Sequence, residues 1–477
     1  MFRKTDFDLC VIGGGAAGLV VAAGGVGLGA KVVLIEKNRL GGDCLYTGCV
    51  PSKAMLHQAA IAHTARQATA IGLTVSGSPD PGRVQNYVQS IIDKIEPHDS
   101  PERFRDLGVE IIFGDAKFAN ANTVNIGNST IRARHYVIAT GSRPAVPPVP
   151  GLDETPYFTN ESIFSNKAAL PELIILGAGP IGLEMAQAHQ RLGSQVTVLD
   201  IAPSILPRED PDMAAFVQSS LEADGVKFLL GQNISHISQS GTALSVSLTN
   251  QDGSTQLVKG SHLLVATGRK TNTDGLALEK ARVSTQKNGL LILNDKLRTT
   301  NKHIYACGDA AGPYFFTHMA EHQAGIVLRN TLFHMGAKTE TRVVPWSTFT
   351  DPELARVGLS ESEAKQQKIT HEVFTFDMSE VDRAKTDNDT QGKIKVVVNK
   401  KGYILGAAIV GARAGELIHE YALAMKQNMK LGQLTGLIHI YPTLAQINRR
   451  VADTYLKTKL TPTTKTIMKF LFRLRGN

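Results

Sequence analysis

The chain has 477 residues, of which 42% are apolar and 20% are charged, and these values are typical of a globular protein with about three domains. The formal net charge is +8. Lysines and arginines are dispersed and no nucleic-acid recognition motif is present, so a solvated basic surface is favoured over a nucleic-acid-binding protein. Four cysteines are too few for a secreted scaffold held by disulfides.

The N-terminal segment is predicted to form a strand, a glycine-rich turn and a helix. The continuous apolar run Leu9–Ile12 is typical of a buried parallel strand. The turn has G-x-G-x-x-G spacing, formed by Gly13, Gly15 and Gly18. A second apolar run ends at Glu36, where a carboxylate accepts from a ribose while the helix N-terminus binds a pyrophosphate. A signal peptide or membrane span is the alternative for the uncharged stretch Leu9–Ala30, but each of its glycines costs a helix ~1 kcal/mol relative to alanine.

Two cysteines, Cys44 and Cys49, lie in a glycine-rich segment that continues into Pro51 and Lys53. Pro51 favours the first turn of a helix, so Cys49 is expected near the positive end of that helix, with Lys53 one turn further on. Both features favour a thiolate, the form that attacks disulfides. We interpret the pair as a redox-active disulfide. A buried pair in a turn and half of a metal site are alternatives, although no second Cys/His pair completes a zinc site.

The middle of the chain is predicted to contain helices over about residues 54–107 and strands over about 109–131. A stiff linker between domains is then indicated by Pro144, Pro147, Pro148 and Pro150.

The glycine motif occurs a second time after the linker. The apolar run Leu173–Leu176 leads into a second G-x-G-x-x-G turn and a strand that ends at Asp200. The glycines of this copy are Gly177, Gly179 and Gly182. A strand followed by a tight turn also recurs, at Thr140 and Gly141 and again at Gly268. Two dinucleotide sites in one chain imply that hydride passes between two different dinucleotides.

The C-terminal part has a different pattern. The segment Ile304–Asp309 is predicted to be a strand that ends in Gly308 and Asp309, where the carboxylate suits a sugar-like hydroxyl. From about Val343 onward, strands at 393–398 and 403–410 and a helix at 415–428 predict an α+β domain without a nucleotide fingerprint.

These ordered motifs, over about Asp6–Arg450, resemble the pyridine nucleotide-disulfide oxidoreductases, the flavoenzymes that include dihydrolipoamide dehydrogenase, glutathione reductase and mercuric reductase. The resemblance implies an α/β fold with two Rossmann-like dinucleotide-binding domains, for FAD and NAD(P), and a C-terminal α+β dimerisation domain. The implied boundaries are 1–148 and 271–341 for the FAD domain, 149–270 for the NAD(P) domain, 342–458 for the dimerisation domain and 459–477 for a basic tail. Cys10 and Cys307 are then packing residues.

The resemblance also implies roles for individual residues. Cys49 would lie against the flavin, Cys44 would exchange with the substrate, and Lys53 would pair with Glu184. Asp309 would bind the ribityl chain of FAD and Glu36 its adenosine ribose. The implied cofactor-binding set is Gly13, Gly15, Gly18, Glu36, Gly42, Lys53, Thr140, Gly141, Gly177, Gly179, Gly182, Asp200, Gly268, Asp309 and Ala320. No metal ligand is expected.

The acid-base motif of the family is altered in this chain. Members that reduce disulfides have a histidine and a glutamate where this chain has Tyr441 and Gln446. Tyrosine, with an ordinary pKa of about 10, is a poor proton shuttle at neutral pH, and glutamine does not stabilise an imidazolium. His439 is a substitute acid-base residue or an ordinary structural residue. Mercuric reductases also depart from histidine here, but their additional C-terminal cysteines are absent from this chain.

Residues 461–475 combine apolar side chains with lysines and arginines, a pattern of helices that lie on anionic lipid. Packing on the dimer or a frayed end is the alternative. We therefore predict a cytoplasmic, homodimeric, FAD-dependent oxidoreductase that prefers NADH and passes electrons through Cys44 and Cys49 to an unidentified small acceptor. The alternatives are a mercuric reductase-like metal-ion reductase, a membrane-surface NADH:quinone diaphorase, a dihydrolipoamide dehydrogenase and a flavin-bound redox sensor.

Overall fold

The computed structural model describes residues 5–249 and 253–474. By their internal contacts these residues form two compact units. The first contains the chain up to Gly177 together with Ala188–Leu199 and Asn233–Glu340. The second contains Ala178–Gln187, Asp200–Gln232 and the chain from Thr341 onward.

The regular elements follow the order expected for dinucleotide-binding folds, with strands and helices alternating at the start of the chain. The strands are β1 Phe7–Ile12, β2 Val32–Glu36, β3 Glu110–Phe113, β4 Ala116–Asn120, β5 Thr123–Ile126, β6 Ser129–Ile131, β7 Ala133–Ile138, β8 Ser142–Pro144, β9 Glu172–Leu176, β10 Gln195–Asp200, β11 Lys227–Leu230, β12 Asn233–Ser240, β13 Ala243–Thr249, β14 Thr255–Gly260, β15 His262–Val265, β16 Arg269–Thr271, β17 Ile304–Ala306, β18 Pro345–Thr348, β19 Glu353–Gly358, β20 His371–Asp377, β21 Lys393–Asn399 and β22 Ile404–Gly411. The α-helices are α1 Ala16–Gly27, α2 Gly42–Tyr46, α3 Cys49–Gln67, α4 Pro81–Ile95, α5 Pro101–Asp106, α6 Pro180–Arg191, α7 Pro211–Ala223, α8 Thr317–Leu332, α9 Glu361–Gln366, α10 Asp382–Thr386, α11 Ala414–Leu417, α12 His419–Lys426, α13 Gln446–Lys459 and α14 Pro462–Leu474.

A five-stranded sheet in the order β17-β7-β1-β2-β3 forms the centre of the first unit. Its strand pairs are parallel, and β1 is buried on both faces because its side chains pack alternately into two apolar layers. Helices α1 and α8 cover one face and approach closely at Gly24, where a Cβ would lie 2.5 Å from the Leu328 side chain. The predicted strand at the start of the chain is therefore present, with its carboxyl end directed at the glycine turn.

The second glycine motif repeats this arrangement. Strand β9 pairs in parallel with β10 on one side and with β15 on the other, and α6 begins at Pro180, directly after the glycines. Three further strands, β12, β13 and β14, form a separate antiparallel sheet. The two predicted strand–turn–helix repeats are both present.

An antiparallel sheet in the order β18-β19-β22-β21-β20 forms the core of the second unit. Helices α12 and α13 pack on it through buried side chains that include Tyr421 and Val451. The helix predicted over 415–428 is divided into α11 and α12 at Ile418, where the Tyr421 N–H bonds the Ile418 carbonyl three residues earlier and tightens the turn.

Buried charges in the second unit are paired. Arg356, 1% exposed, bonds Glu363 at 2.9 Å, donates to the Arg208 carbonyl at 2.9 Å and lies 4.4 Å from the Trp346 ring centroid. Trp346 donates its Nε1–H to Glu209 at 2.8 Å. Such pairing offsets the cost of removing charge from water. No helix within residues 5–249 and 253–474 combines the length and apolarity needed to span a membrane.

Candidate functional site

Two glycines of the first glycine turn, Gly13 and Gly18, leave no room for a side chain. Gly13 has φ of +108°, and a Cβ there would lie 2.3 Å from the Ala139 carbonyl oxygen. A Cβ on Gly18 would lie 1.8 Å from the Gly13 oxygen. At the end of β2, Glu36 accepts the Gly14 N–H at 2.6 Å and the Asn38 N–H at 2.8 Å. The acid is thereby held beside the turn, and its predicted bond to a ribose stays a prediction.

The surroundings of this turn fit a dinucleotide. A Cβ on Gly42 would lie 2.7 Å from the Cα of Gly15, so these two backbones approach closely. Gly141 has φ of +70° and open space where its side chain would be. The buried hydroxyl of Thr140 has no hydrogen-bond partner within the described part of the chain. A buried, unpartnered hydroxyl beside open glycine turns is suited to a bound polar group, and the family resemblance implies that this group is FAD.

The second glycine turn has the same construction. Gly177 has φ of +112°, and a Cβ there would lie 2.4 Å from the Ala266 carbonyl oxygen. Gly179 and Gly268 face open space. Asp200 accepts the Ala178 N–H at 2.6 Å and the Ala202 N–H at 2.7 Å, which reproduces the two contacts of Glu36. The residues fit a second dinucleotide, with Gly182 inside the first turn of α6.

Helices α2 and α3 position the two candidate redox cysteines. Cys44 is half-buried in α2, and Cys49 is the exposed first residue of α3. Both are thiols in this structure. Their hydrogen bond and the burial of Cys44 raise the pKa of the Cys44 thiol. Cys49 lies at a helix N-terminus, where the dipole favours a thiolate, and Lys53 follows one turn later. The helix that the sequence predicts after Cys49 is present.

A residue that the sequence did not indicate, Thr317, contacts both sulfurs. It is the first residue of α8. Its hydroxyl donates to Cys44 Sγ at 3.1 Å, and the Thr317 Oγ1 lies 3.5 Å from Cys49 Sγ. The bond from Thr317 lowers the pKa of Cys44 and opposes the effects of Cys49 and burial. One hydroxyl is thus shared by the two members of the redox pair.

Asp309 lies at the carboxyl end of β17, within a polar network. Ser142 donates its hydroxyl to Asp309, and Arg269 lies 3.7 Å from the same carboxylate. Arg269 also bonds Asp43 at 2.9 Å, directly before Cys44. Burial raises the pKa of Asp309, whereas Ser142 and Arg269 lower it. Arg269 was not predicted, because it follows a recognised strand–turn segment without a motif of its own.

Four further residues of the predicted catalytic and cofactor-binding sets lie in α2, α3, α6 and α8. Glu184 is 4% exposed in α6 and accepts the Phe349 N–H at 2.9 Å. Lys53 is partly buried in α3, and its pairing with Glu184 stays a prediction. Ala320 is buried in the first turns of α8, and Gly42 begins α2.

The loop that replaces the acid-base motif exposes its tyrosine and buries its histidine. Tyr441 is 65% exposed. The His439 side chain is 4% exposed, with Nε2 3.2 Å from both Glu420 carboxylate oxygens and Nδ1 3.2 Å from the Leu437 carbonyl oxygen. Asn448 donates to Glu420 at 2.8 Å. Both nitrogens of His439 therefore already face acceptors, which favours the structural role for this residue.

Comparison with known proteins agrees with this geometry. Residues 7–324 match the family model "Pyridine nucleotide-disulphide oxidoreductase", and residues 344–451 match the dimerisation domain of the same family. A mercuric reductase of Lysinibacillus sphaericus is 33% identical over 96% of this chain and 84% of its own length. Dihydrolipoyl dehydrogenase 2 of Haloarcula marismortui is 32% identical over 93% of this chain and 95% of its own length.

Solved structures give the same result. The Cu(II) complex of RclA, a HOCl-induced flavoprotein disulfide reductase from Escherichia coli, superposes with a TM-score of 0.84 and 27% identity, over 95% of this chain and 100% of the other. The predicted fold class, family, enzyme class and FAD and NAD(P)H dependence are confirmed. The family's dimerisation domain supports the predicted homodimer. The chain therefore belongs to the pyridine nucleotide-disulphide oxidoreductase family, as an FAD- and NAD(P)H-dependent oxidoreductase with a redox-active Cys44–Cys49 pair.

Proposed function

We propose that this oxidoreductase delivers electrons to a thiophilic metal ion at Cys44 and Cys49. The observation that carries the proposal is the site itself: two neighbouring thiols that share the Thr317 hydroxyl, in a chain with Tyr441 and Gln446 at the family's acid-base positions. Thiolate sulfur is a preferred ligand of soft metal ions. Reduction of a disulfide releases a thiolate that needs a proton. Reduction of a metal ion releases no such group, so the altered acid-base pair is no obstacle.

The relatives support this choice of acceptor. Several similar proteins are mercuric reductases, and RclA has been crystallised with Cu(II). A bound FAD would supply the two-electron chemistry that links oxidation of NAD(P)H to the cysteine pair. Two electrons reduce one Hg(II) to Hg(0) or two Cu(II) to Cu(I), so either ion balances the oxidation of one NAD(P)H.

Each cysteine has a distinct role in the proposal. Cys44 contacts the acceptor, and Cys49 lies on the flavin side of the pair. Lys53 and Glu184 stabilise charge between flavin and nicotinamide. The glycine turns, Glu36, Asp200, Thr140 and the neighbouring residues assigned by resemblance hold the two dinucleotides. The proposal also includes the domain boundaries that the family resemblance implies. These are 1–148 and 271–341 for the FAD domain, 149–270 for the NAD(P) domain and 342–458 for the dimerisation domain.

Steady-state oxidation of NADH with Cu(II), Hg(II), lipoamide, glutathione disulfide and a soluble quinone tests the acceptor. We expect the metal ions to support turnover, and Cys44→Ser to abolish it. Cys10→Ser is the matched control, because Cys10 is fully buried in β1 and should not contact the metal ion. Faster turnover with lipoamide or glutathione disulfide than with either metal ion would reject the proposal in favour of a dihydrolipoamide dehydrogenase-like function.

Peripheral membrane contact is a second candidate property, favoured by α14. This helix carries Lys465, Lys469 and Arg473 among exposed apolar side chains, of which Phe470 is 61% and Phe472 is 52% exposed. Apolar area and cations together favour an anionic lipid surface. With this contact, the enzyme would work at the cytoplasmic face of a membrane, where a quinone is the alternative acceptor.

A further inference from the structure

Arg269 links two parts of the first unit, the segment that carries Cys44 and the carboxylate of Asp309. Its side chain is 11% exposed. Nη2 lies 2.9 Å from Asp43, while Nε donates to the Ser142 hydroxyl at 2.6 Å and lies 3.7 Å from Asp309. The planar guanidinium presents several donors in a fixed geometry, so one residue bonds Asp43 directly and is linked to Asp309 through the Ser142 hydroxyl.

The Asp43 end of this bridge is fixed to the redox segment. Asp43 precedes Cys44 in α2. Its second carboxylate oxygen accepts the Thr47 hydroxyl at 2.6 Å and the Asn160 amide at 2.9 Å. A change in the position of Asp43 is therefore transmitted to the backbone of α2.

The two carboxylates also oppose each other electrostatically. Burial is the largest influence that raises the pKa of Asp309, and the charge of Asp43 raises it further. Arg269 offsets this repulsion. Without the guanidinium, two half-buried like charges lie together, which favours protonation of one carboxylate or separation of the two.

We propose that Arg269 is a positioning residue that couples the flavin-side carboxylate Asp309 to the segment carrying Cys44. The inference rests on the proposed roles of Asp309 and Cys44 but not on the identity of the acceptor. Loss of Arg269 should weaken FAD binding and also slow the reaction of the Cys44 thiol, because an uncompensated Asp43 charge disfavours the neighbouring thiolate.

The test compares Arg269→Gln with Arg143→Gln. Arg143 lies in β8, the partner strand of β16, and its guanidinium pairs with Asp274 at 2.6 Å while 38% exposed. The control thus removes a guanidinium from the same two-stranded sheet without touching Asp43 or Asp309. The readouts are the dissociation constant of FAD and the rate of iodoacetamide alkylation of Cys44 in the reduced holoenzyme, resolved by mass spectrometry.

We expect Arg269→Gln to raise the FAD dissociation constant at least tenfold and to slow Cys44 alkylation at least threefold. Arg143→Gln should stay within twofold of the wild type in both, and Arg269→Lys should recover part of the FAD affinity. A change in only one readout, or in neither, overturns the coupling. Neither readout uses an acceptor, so failure here is distinct from failure of the metal-ion proposal.

Should Arg269→Gln not fold, Ser142→Ala decides the question. This variant removes the hydroxyl between Arg269 and Asp309 and leaves the charges in place. We expect about a threefold rise in the FAD dissociation constant together with slower Cys44 alkylation. Wild-type values in both measurements would overturn the proposal.

Discussion

At the scale of single residues, the Thr317 hydroxyl opposes the larger effects of Cys49 and burial on the ionisation of Cys44. It donates to Cys44 and lies near Cys49, and it lowers a pKa that Cys49 and burial raise. A donor to a sulfur stabilises the thiolate relative to the thiol. The nucleophilicity of Cys44 therefore depends on a residue far away in the sequence.

Replacing Thr317 with valine should slow alkylation of Cys44 at pH 7 by about three- to tenfold, because one pKa unit corresponds to a tenfold change in thiolate fraction. The alkylation rate should recover as pH rises, since the Cys44 thiol then ionises without the hydrogen bond from Thr317. Rates measured by mass spectrometry across pH provide the check. Thr317→Ser keeps the hydroxyl and should resemble the wild type. A valine variant with an unchanged pH profile contradicts the assignment.

Asp200 is expected to set the choice of nucleotide. Its carboxylate is held by the backbone of Ala178 and Ala202, where it would accept from a ribose 2′-hydroxyl and repel a 2′-phosphate. The wild type should prefer NADH over NADPH in kcat/KM, and Asp200→Ala should reduce that preference at least tenfold. Arg208→Gln is the control, since its guanidinium lies 5.2 Å from the Trp346 ring centroid. Equal kcat/KM for the two nucleotides in the wild type would refute this expectation.

The sequence predicted the residues that belong to local motifs and missed those that depend on folding. Gly13, Glu36 and the Cys44–Cys49 pair follow from spacing along the chain. Thr317 reaches Cys44 across a separation of 273 residues. Arg269 reaches Asp43 only once β16 has paired with β8. Contacts of this kind arise from the tertiary fold, which no local periodicity encodes.

At the scale of elements, apolar runs located the parallel strands well. Strands β1 and β9 contain the continuous apolar segments Leu9–Ile12 and Leu173–Leu176, and both segments are buried. The antiparallel sheet of β12, β13 and β14 was not predicted. Its alternation is visible in β13, where Leu244, Val246 and Leu248 are buried and the residues between them are partly exposed. The available sequence signal was the alternation of apolar and polar residues along the strand. Serines and threonines at the partly exposed positions made this alternation weak.

Helix α14 should provide membrane affinity without serving catalysis. Removing residues 460–477 should leave flavin content and NADH oxidation unchanged, because the family match ends at residue 451. In cosedimentation with vesicles of anionic phospholipid at low salt, the full-length chain should pellet with the vesicles. The truncated chain should stay in the supernatant. The double substitution Lys465→Glu and Lys469→Glu should also abolish vesicle binding. The apolar area remains in this variant, but the reversed charges repel anionic lipid. Failure of the full-length chain to bind these vesicles disproves the contact.

At the scale of the whole molecule, Tyr441 and Gln446 become important in the homodimer. The resemblance places the acid-base residue of one subunit at the cysteine pair of the other, and Tyr441 is 65% exposed in the single chain. Gln446 begins α13. We therefore expect the exchange of acid and base for phenol and amide to affect a site that two chains form together.

Tyr441→His combined with Gln446→Glu should raise turnover with lipoamide or glutathione disulfide at least tenfold, because a positioned general acid typically contributes 10²- to 10⁴-fold. The wild type should be slow with both disulfides. Tyr441→Phe is the control, and it should change metal-ion reduction little. Rapid reduction of either disulfide by the wild type would show that the replaced pair is not limiting.

Trp346 gives the second unit an optical signal of its own, since the chain has one tryptophan. Its indole lies against Arg356 and donates to Glu209, so its emission spectrum should shift when that cluster opens to water. FAD absorbance, in contrast, should report on the first unit, which contains the residues proposed to bind FAD. In a urea titration, coincident transitions of the two signals would indicate one cooperative unfolding event, whereas separate midpoints would reveal which unit unfolds first.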